Sequence, residues 1–245
     1  MTSLRVEIWS DIACPWCWVG KRQLEAAIEQ FPHPVEVTWR AFELDPSAPR
    51  SPQTDGPPDM VKRLADKYGV GRPQAQQMID RMTGVGAEHG LPFRFDRMQP
   101  SNTFDAHRLL HWAGAQGRGS AMKERLFDAY MHQGQAIADH EVLVDLAERE
   151  GLSAERAQAL LSSDEHARDV RADEARAAEL GVSGVPFFVI GERYAVSGAQ
   201  PSALLRQAMQ RAWDEGHTTA SAPAPEASPS GEACGPDGCA LPSPG

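Results

Sequence analysis

Cysteine is scarce in this chain, 4 in 245 residues, too few to staple a fold with disulfides. Positive charge is short as well. Lys and Arg number 24 against 34 Asp and Glu, a formal net charge of −10. A nucleic-acid surface or an anionic membrane needs a basic patch, so neither is expected as a partner. No apolar run approaches the roughly 20 residues needed to cross a bilayer. The first ten residues, Met1-Thr-Ser-Leu-Arg-Val-Glu-Ile-Trp-Ser10, alternate polar and apolar and lack the charged and then apolar stretches of a signal peptide. They read as a strand, and a cytoplasmic location is the expectation. A Gly-rich dinucleotide turn and a phosphate loop are both missing, so no tightly bound cofactor is expected.

What cysteine there is comes in two close pairs. Cys14 and Cys17 form a C-x-x-C, and Cys234 and Cys239 form a C-x4-C near the end. Such spacing points to thiol chemistry or to a four-sulfur zinc site.

Residues 5–10 read as a first strand, followed by the C-x-x-C and a helix to about Gln30 with Val19, Leu24, Ala27 and Ile28 on one stripe. Val35 to Phe42 alternates as a second strand. From Met60 to Gly181 the periodicity is helical, predicting helices over 60–68, 73–89, 103–116, 121–133, 140–150, 154–161 and 165–180. Asp139 and Ser153 suit N-caps, and Gly69, Gly90, Gly117, Gly134, Gly151 and Gly181 suit stops. Strand character returns at 185–190 and 193–196 around a Gly191-Glu192 turn, and a last helix starts with Pro201 at its first position. The order β-α-β, helices, β-β-α is that of an α/β, thioredoxin-like fold with an inserted all-helical subdomain. The expected division is 1–58 with 182–216 as the thioredoxin-like part and 59–181 as the insert. Residues 217–245 hold 6 Pro, 6 Ala, 4 Gly and 4 Ser and no Lys, Arg or aromatic residue. That composition cannot bury enough apolar area to offset ordering, so a flexible tail is expected.

A C-x-x-C between a strand end and a helix start has a physical use. The helix N-terminus offers free N–H donors and partial positive charge, which favours a thiolate at Cys14 and predicts a lowered pKa there. Pro15 suits the first turn. Cys17, one turn on and expected to be the more buried, would resolve the mixed disulfide that Cys14 forms. Half of a zinc knuckle is the competing reading, and it lacks a second ligand pair at short spacing. In Gly184-Val-Pro-Phe-Phe188, Pro186 opens a strand and can be cis. In a thioredoxin-type fold this loop faces the C-x-x-C and offers the Val185 backbone to a substrate chain.

The runs Ser10-Asp-Ile-Ala-Cys-Pro-Trp-Cys-Trp-Val-Gly20, Asn102-Thr-Phe-Asp-Ala-His-Arg-Leu-Leu110 and Gly181-Val-Ser-Gly-Val-Pro-Phe-Phe188 together resemble the DsbA-type thioredoxin superfamily over roughly residues 1–215. They look most like its FrnE-like cytoplasmic branch, related to 2-hydroxychromene-2-carboxylate isomerase and kappa-class glutathione transferase. The resemblance implies a thiol–disulfide oxidoreductase or disulfide isomerase, with Cys14 as nucleophile, Cys17 as resolving thiol and Pro186 as the cis-proline. Its partners would be proteins carrying disulfides or thiols, with glutathione or a thioredoxin-type protein as donor. The isomerase and transferase branch generally has Ser for the attacking Cys, and this chain keeps both cysteines. A glutathione-dependent small-molecule isomerase or transferase stays as one alternative, and a zinc protein using all four sulfurs as another.

Several residues have two readings. Glu7, on the first strand, either accepts a proton from Cys17, as related oxidoreductases arrange it, or is simply solvated. His107 and His111 have zinc-compatible spacing but no third ligand in pattern. Asn102 either caps its helix, as Ser101 could, or with Thr103 contacts a peptide or glutathione. Met60, Met78 and Met82 are core filler or the lining of a peptide groove, and Trp16 and Trp18 are read as shaping a substrate surface. Gly-Pro-Asp-Gly between Cys234 and Cys239 suits a type I turn that brings the two cysteines together. A short exposed loop makes a poor staple and a labile redox pair. About 18 residues of coil reach roughly 23 Å, so this pair is read as a redox relay to Cys14 and Cys17.

Overall fold

In Leu4–Ser10 (β1) the alternation buries Leu4, Val6 and Ile8 on one face, and towards its end Trp9 and Ser10 are buried as well. A strand covered on both faces belongs in the middle of a sheet, and β1 lies there. The computed structural model describes residues 3–51, 59–217, 234–235 and 238–239. β1 pairs in parallel with Val35–Ala41 (β2) and antiparallel with Phe187–Ile190 (β3), which pairs antiparallel with Tyr194–Ser197 (β4). The sheet order is β2-β1-β3-β4. Gly191 and Glu192 both have φ near +60° in the three-residue turn, 191–193, that joins β3 to β4.

Pro15–Glu29 (α1) links β1 to β2. Seven helices then separate β2 from β3: Met60–Tyr68 (α2), Arg72–Glu88 (α3), Phe104–Ala115 (α4), Gly119–Asp128 (α5), His140–Arg149 (α6), Ala154–Leu161 (α7) and Ala167–Glu179 (α8). Ser202–His217 (α9) follows β4 and packs on α1. The α/β thioredoxin-like architecture with its helical insert is therefore the observed one. Asp139 and Ser153 cap α6 and α7 by accepting from the Glu141 and Arg156 N–H groups. All six glycines expected as stops have positive φ.

Three local expectations need correction. The helix read as 121–133 starts at Gly119, and its last turn, Ala129–Gln133, is a π-helix, a widening that a 3.6-residue pattern does not reveal. Pro201 precedes α9 rather than opening it, its carbonyl accepting from the Leu205 N–H at 3.2 Å. The position before α4 belongs to Thr103, while the Asn102 side-chain oxygen accepts from the Phe104 N–H at 3.1 Å. The expected flexible tail falls outside the described residues except for Cys234–Gly235 (β5) and Gly238–Cys239 (β6). Their backbones pair antiparallel with Cys234 opposite Cys239. No helix among the described residues is long and apolar enough to cross a membrane.

Candidate active site

Cys14 occupies the N-cap of α1, with Pro15 in the first turn. The chain reaches it through Asp11, whose backbone carbonyl accepts from the Cys14 N–H at 3.2 Å. The Asp11 carboxylate is 1% exposed and accepts from the Leu44 N–H at 2.7 Å and the Ala13 N–H at 3.3 Å. The Cys14 carbonyl accepts from the Cys17 N–H at 3.0 Å, so one helical turn sets the two cysteines together. The Val185–Pro186 peptide is cis, and the Cys14 thiol donates to the Val185 carbonyl at 3.5 Å. The expected convergence of Cys14, Cys17, Val185 and Pro186 is met. Gly20 seals it from the helix side: a Cβ there would lie 2.8 Å from the Pro186 ring.

Burial departs from expectation. Cys14 is 0% exposed and Cys17 1%, and both are free thiols. Burial pushes the Cys14 thiol well above its usual range. Its Cys17 neighbour adds to this, and the Cys17 backbone N–H only partly offsets it. The lowered pKa expected from the helix terminus is therefore not found in this closed, reduced arrangement, because loss of water outweighs the partial charge of one helix end.

Glu7 is elsewhere. Its carboxylate accepts from the Arg40 guanidinium at 2.5 and 2.8 Å, and Arg40 also binds Asp173 at 3.0 Å. It serves an ion-pair network joining β1, β2 and α8, so the expectation of a proton acceptor under the dithiol is not met. The charged groups acting on the pair are instead Asp11 and Lys123. Burial alone would raise the Asp11 carboxyl, but His107, the Leu44 N–H and Lys123 bring it below the usual value. His107 is held below its usual pKa chiefly by burial, and its Nε2 lies 3.5 Å from Asp11. His111 turns to Asp173 instead, at 2.9 Å, so the two histidines do not converge on a shared metal.

Lys123 of α5 escaped sequence reasoning. It is wholly buried, and burial lowers its pKa to about 8 against the pull of Cys17, Asp11 and Cys14. The signal was present, since Lys123, Leu126, Phe127 and Tyr130 fall on one apolar stripe. Trp18 is core rather than surface. It stacks on Phe127 with ring centroids 5.9 Å apart and donates to Glu124 at 3.0 Å. Trp16 and Pro15, by contrast, line a cavity of about 160 Å³ shared with Met60, Met78, Met82 and Arg63. The methionines thus have the groove-lining role as well as the filling one. Among the described residues no cluster of three or more His, Cys, Asp or Glu could hold a metal. A four-sulfur site would need the Cys234 and Cys239 side chains, which lie outside them.

The sequence matches the DSBA-like thioredoxin domain family over residues 5–210. It is 30% identical over 193 residues to the uncharacterized protein YwbO of Bacillus subtilis (strain 168), covering 78% of this chain and 88% of that one. Among solved structures it is similar to a probable DsbA oxidoreductase of Streptomyces coelicolor, with 44% identity, a TM-score of 0.79 and 98% and 100% of the two chains covered. A 2-hydroxychromene-2-carboxylate isomerase shares the fold at 17% identity and a TM-score of 0.63, covering 89% of this chain and 100% of that one.

Proposed function

The chain belongs to the DSBA-like thioredoxin domain family, and we propose that it exchanges disulfides with protein substrates through Cys14 and Cys17. The observation that carries this reading is the Cys14 sulfur at the start of α1, held 3.5 Å from the Val185 carbonyl. A substrate strand laid against the Val185 backbone would replace that contact and bring its own disulfide to Cys14. Displacing the thiol from its acceptor frees it to deprotonate beside the N–H groups of α1. Attack by the Cys14 thiolate on the substrate disulfide gives a mixed disulfide and one substrate thiolate. Attack by Cys17 on Cys14 then releases the second substrate thiolate and leaves a Cys14–Cys17 disulfide. A glutathione-type thiol or a thioredoxin-type protein would reduce that pair again, and Cys234 and Cys239 would relay between it and the outside.

The test is insulin reduction and the refolding of a scrambled disulfide protein. Cys14→Ser should abolish both, and Cys17→Ser should accumulate mixed disulfides. Near wild-type rates in Cys14→Ser would end the proposal. The cavity beside Trp16 favours a second reading, a glutathione-dependent isomerase or transferase acting on a small molecule. That reading predicts turnover of a small electrophile with glutathione that survives Cys17→Ser.

A further inference from the structure

Lys123 is a buried cation with no ion-paired carboxylate among the described residues. Its Nζ donates one long hydrogen bond, 3.4 Å, to the Ser10 carbonyl at the end of β1. It also faces two rings, Phe127 at 4.9 Å and Trp39 at 5.5 Å from the ring centres. An ammonium so placed costs stability, since ring faces and one carbonyl replace little of its hydration. Filling the space would not require it, because methionine has the same reach without the charge. The groups it acts on are Cys17, Asp11 and Cys14, and from α4 the His107 ring feels it too. Asp11 already has the Leu44 and Ala13 N–H groups. Of the other buried Lys and Arg side chains among the described residues, Lys21 is paired with Glu25 and Glu124 and Arg108 with Asp105.

We propose that the Lys123 ammonium is the counter-charge for the thiolate formed on Cys17 when the mixed disulfide at Cys14 is resolved. This rests on the redox reading of Cys14 and Cys17. In that step Cys17 loses its proton, its sulfur bonds to the Cys14 sulfur, and the bond from Cys14 to the substrate sulfur breaks. The departing substrate thiolate takes up the proton. Two cysteine thiols are oxidised to one disulfide as the substrate disulfide is reduced to two thiols, and Lys123 stays protonated throughout. A pKa of about 8 leaves it mostly charged at pH 7, which the role demands. Lys123 acts on the sulfur through its field, so it is a positioning charge rather than a group that bonds to substrate.

The measurement is the equilibrium of the Cys14/Cys17 pair with a glutathione buffer, together with the rate at which a Cys14 mixed disulfide resolves. Lys123→Met should slow resolution about tenfold at pH 7 while leaving the equilibrium of the pair little changed, since the thiolate it balances forms only in passing. Its melting temperature should hold or rise, and Lys123→Arg should restore the rate. An unchanged resolution rate in folded Lys123→Met overturns the inference. If neither variant folds, wild-type protein labelled at lysine Cε decides. The Lys123 resonance should titrate at different pH in the reduced and oxidised forms, and identical titrations overturn the proposal. Failure of wild-type protein to interconvert dithiol and disulfide at all would instead overturn the redox reading beneath it.

Discussion

Asp11 carries more of the site than its position in a loop suggests. One carboxylate fixes the approach to Cys14 by accepting from Ala13, and ties that approach to the segment after β2 by accepting from Leu44. Its pKa lies below the usual value, burial being outweighed by His107, the Leu44 N–H and Lys123. The folded protein therefore binds this proton less tightly than the unfolded chain. The stability it contributes is present above the unfolded value of about 3.9 and is lost as pH falls below it. Asp11→Asn should lower stability at pH 7 by about 1–3 kcal/mol and flatten the acid limb of a melting-temperature profile. An acid limb as steep as that of the wild type would show that other carboxylates set it. The cysteines and Pro186 were legible because their spacing and strand-to-helix context admit few structures. Glu7 was misread because a strand pattern tells which residues alternate, not which partner waits across the sheet. Its guanidinium partner is Arg40, on a neighbouring strand 33 residues away. Lys123 was hidden by the ordinary rule that lysine is solvated, which its place on an apolar stripe overrode.

At the level of elements the site depends on how closely α1 approaches the loop before β3. Gly20 permits that approach, with the Pro186 ring 2.8 Å and the Phe188 ring 3.3 Å from where a Cβ would stand. Gly20→Ala would remove a helix-weakening glycine, a gain of about 0.5–1 kcal/mol, yet overpack the junction at a cost of about 1–3 kcal/mol. The net expectation is a loss of stability in denaturant unfolding. Insulin reduction should fall further than stability accounts for, because the strain lands on the Cys14–Val185 contact. A variant as stable and as active as the wild type would show that this junction yields freely. On the other side, α1 is clamped to α5 by Glu124, which binds Lys21 at 2.7 Å, Arg22 and the Trp18 indole. The helix supporting Lys123 is thus fixed to the helix carrying the cysteines. Caps and stops were legible in this region because Asp139, Ser153 and the six glycines act through their own backbone geometry. Glu124 was not, since the partners that identify it lie 102 or more residues away.

For the molecule as a whole, full burial of the dithiol raises the question of how electrons leave it. The thioredoxin-like part supplies Cys14, Cys17 and Pro186, while the helical insert supplies Lys123, His107 and most of the cavity wall. A buried pair turns over slowly with bulky partners unless a smaller carrier serves it. Cys234 and Cys239 would suit such a carrier: two cysteines five positions apart, with backbones paired opposite each other. Reached through the chain that joins them to α9, they would meet Cys14 in a unimolecular step, at an effective concentration on the order of millimolar. An external protein at micromolar concentration would then lose to the tail as the first partner of Cys14. Replacing both tail cysteines by Ser should therefore lower the insulin reduction rate several-fold. Exchange with a small disulfide that enters the cavity unaided should change little. In Cys17→Ser, peptide mapping should find a bridge from Cys14 to Cys234 or Cys239, since no internal thiol remains to resolve it. Unchanged insulin reduction in the tail variant, with no such bridge in Cys17→Ser, would remove the tail from the electron path and leave substrate-driven opening of the insert as the way to Cys14.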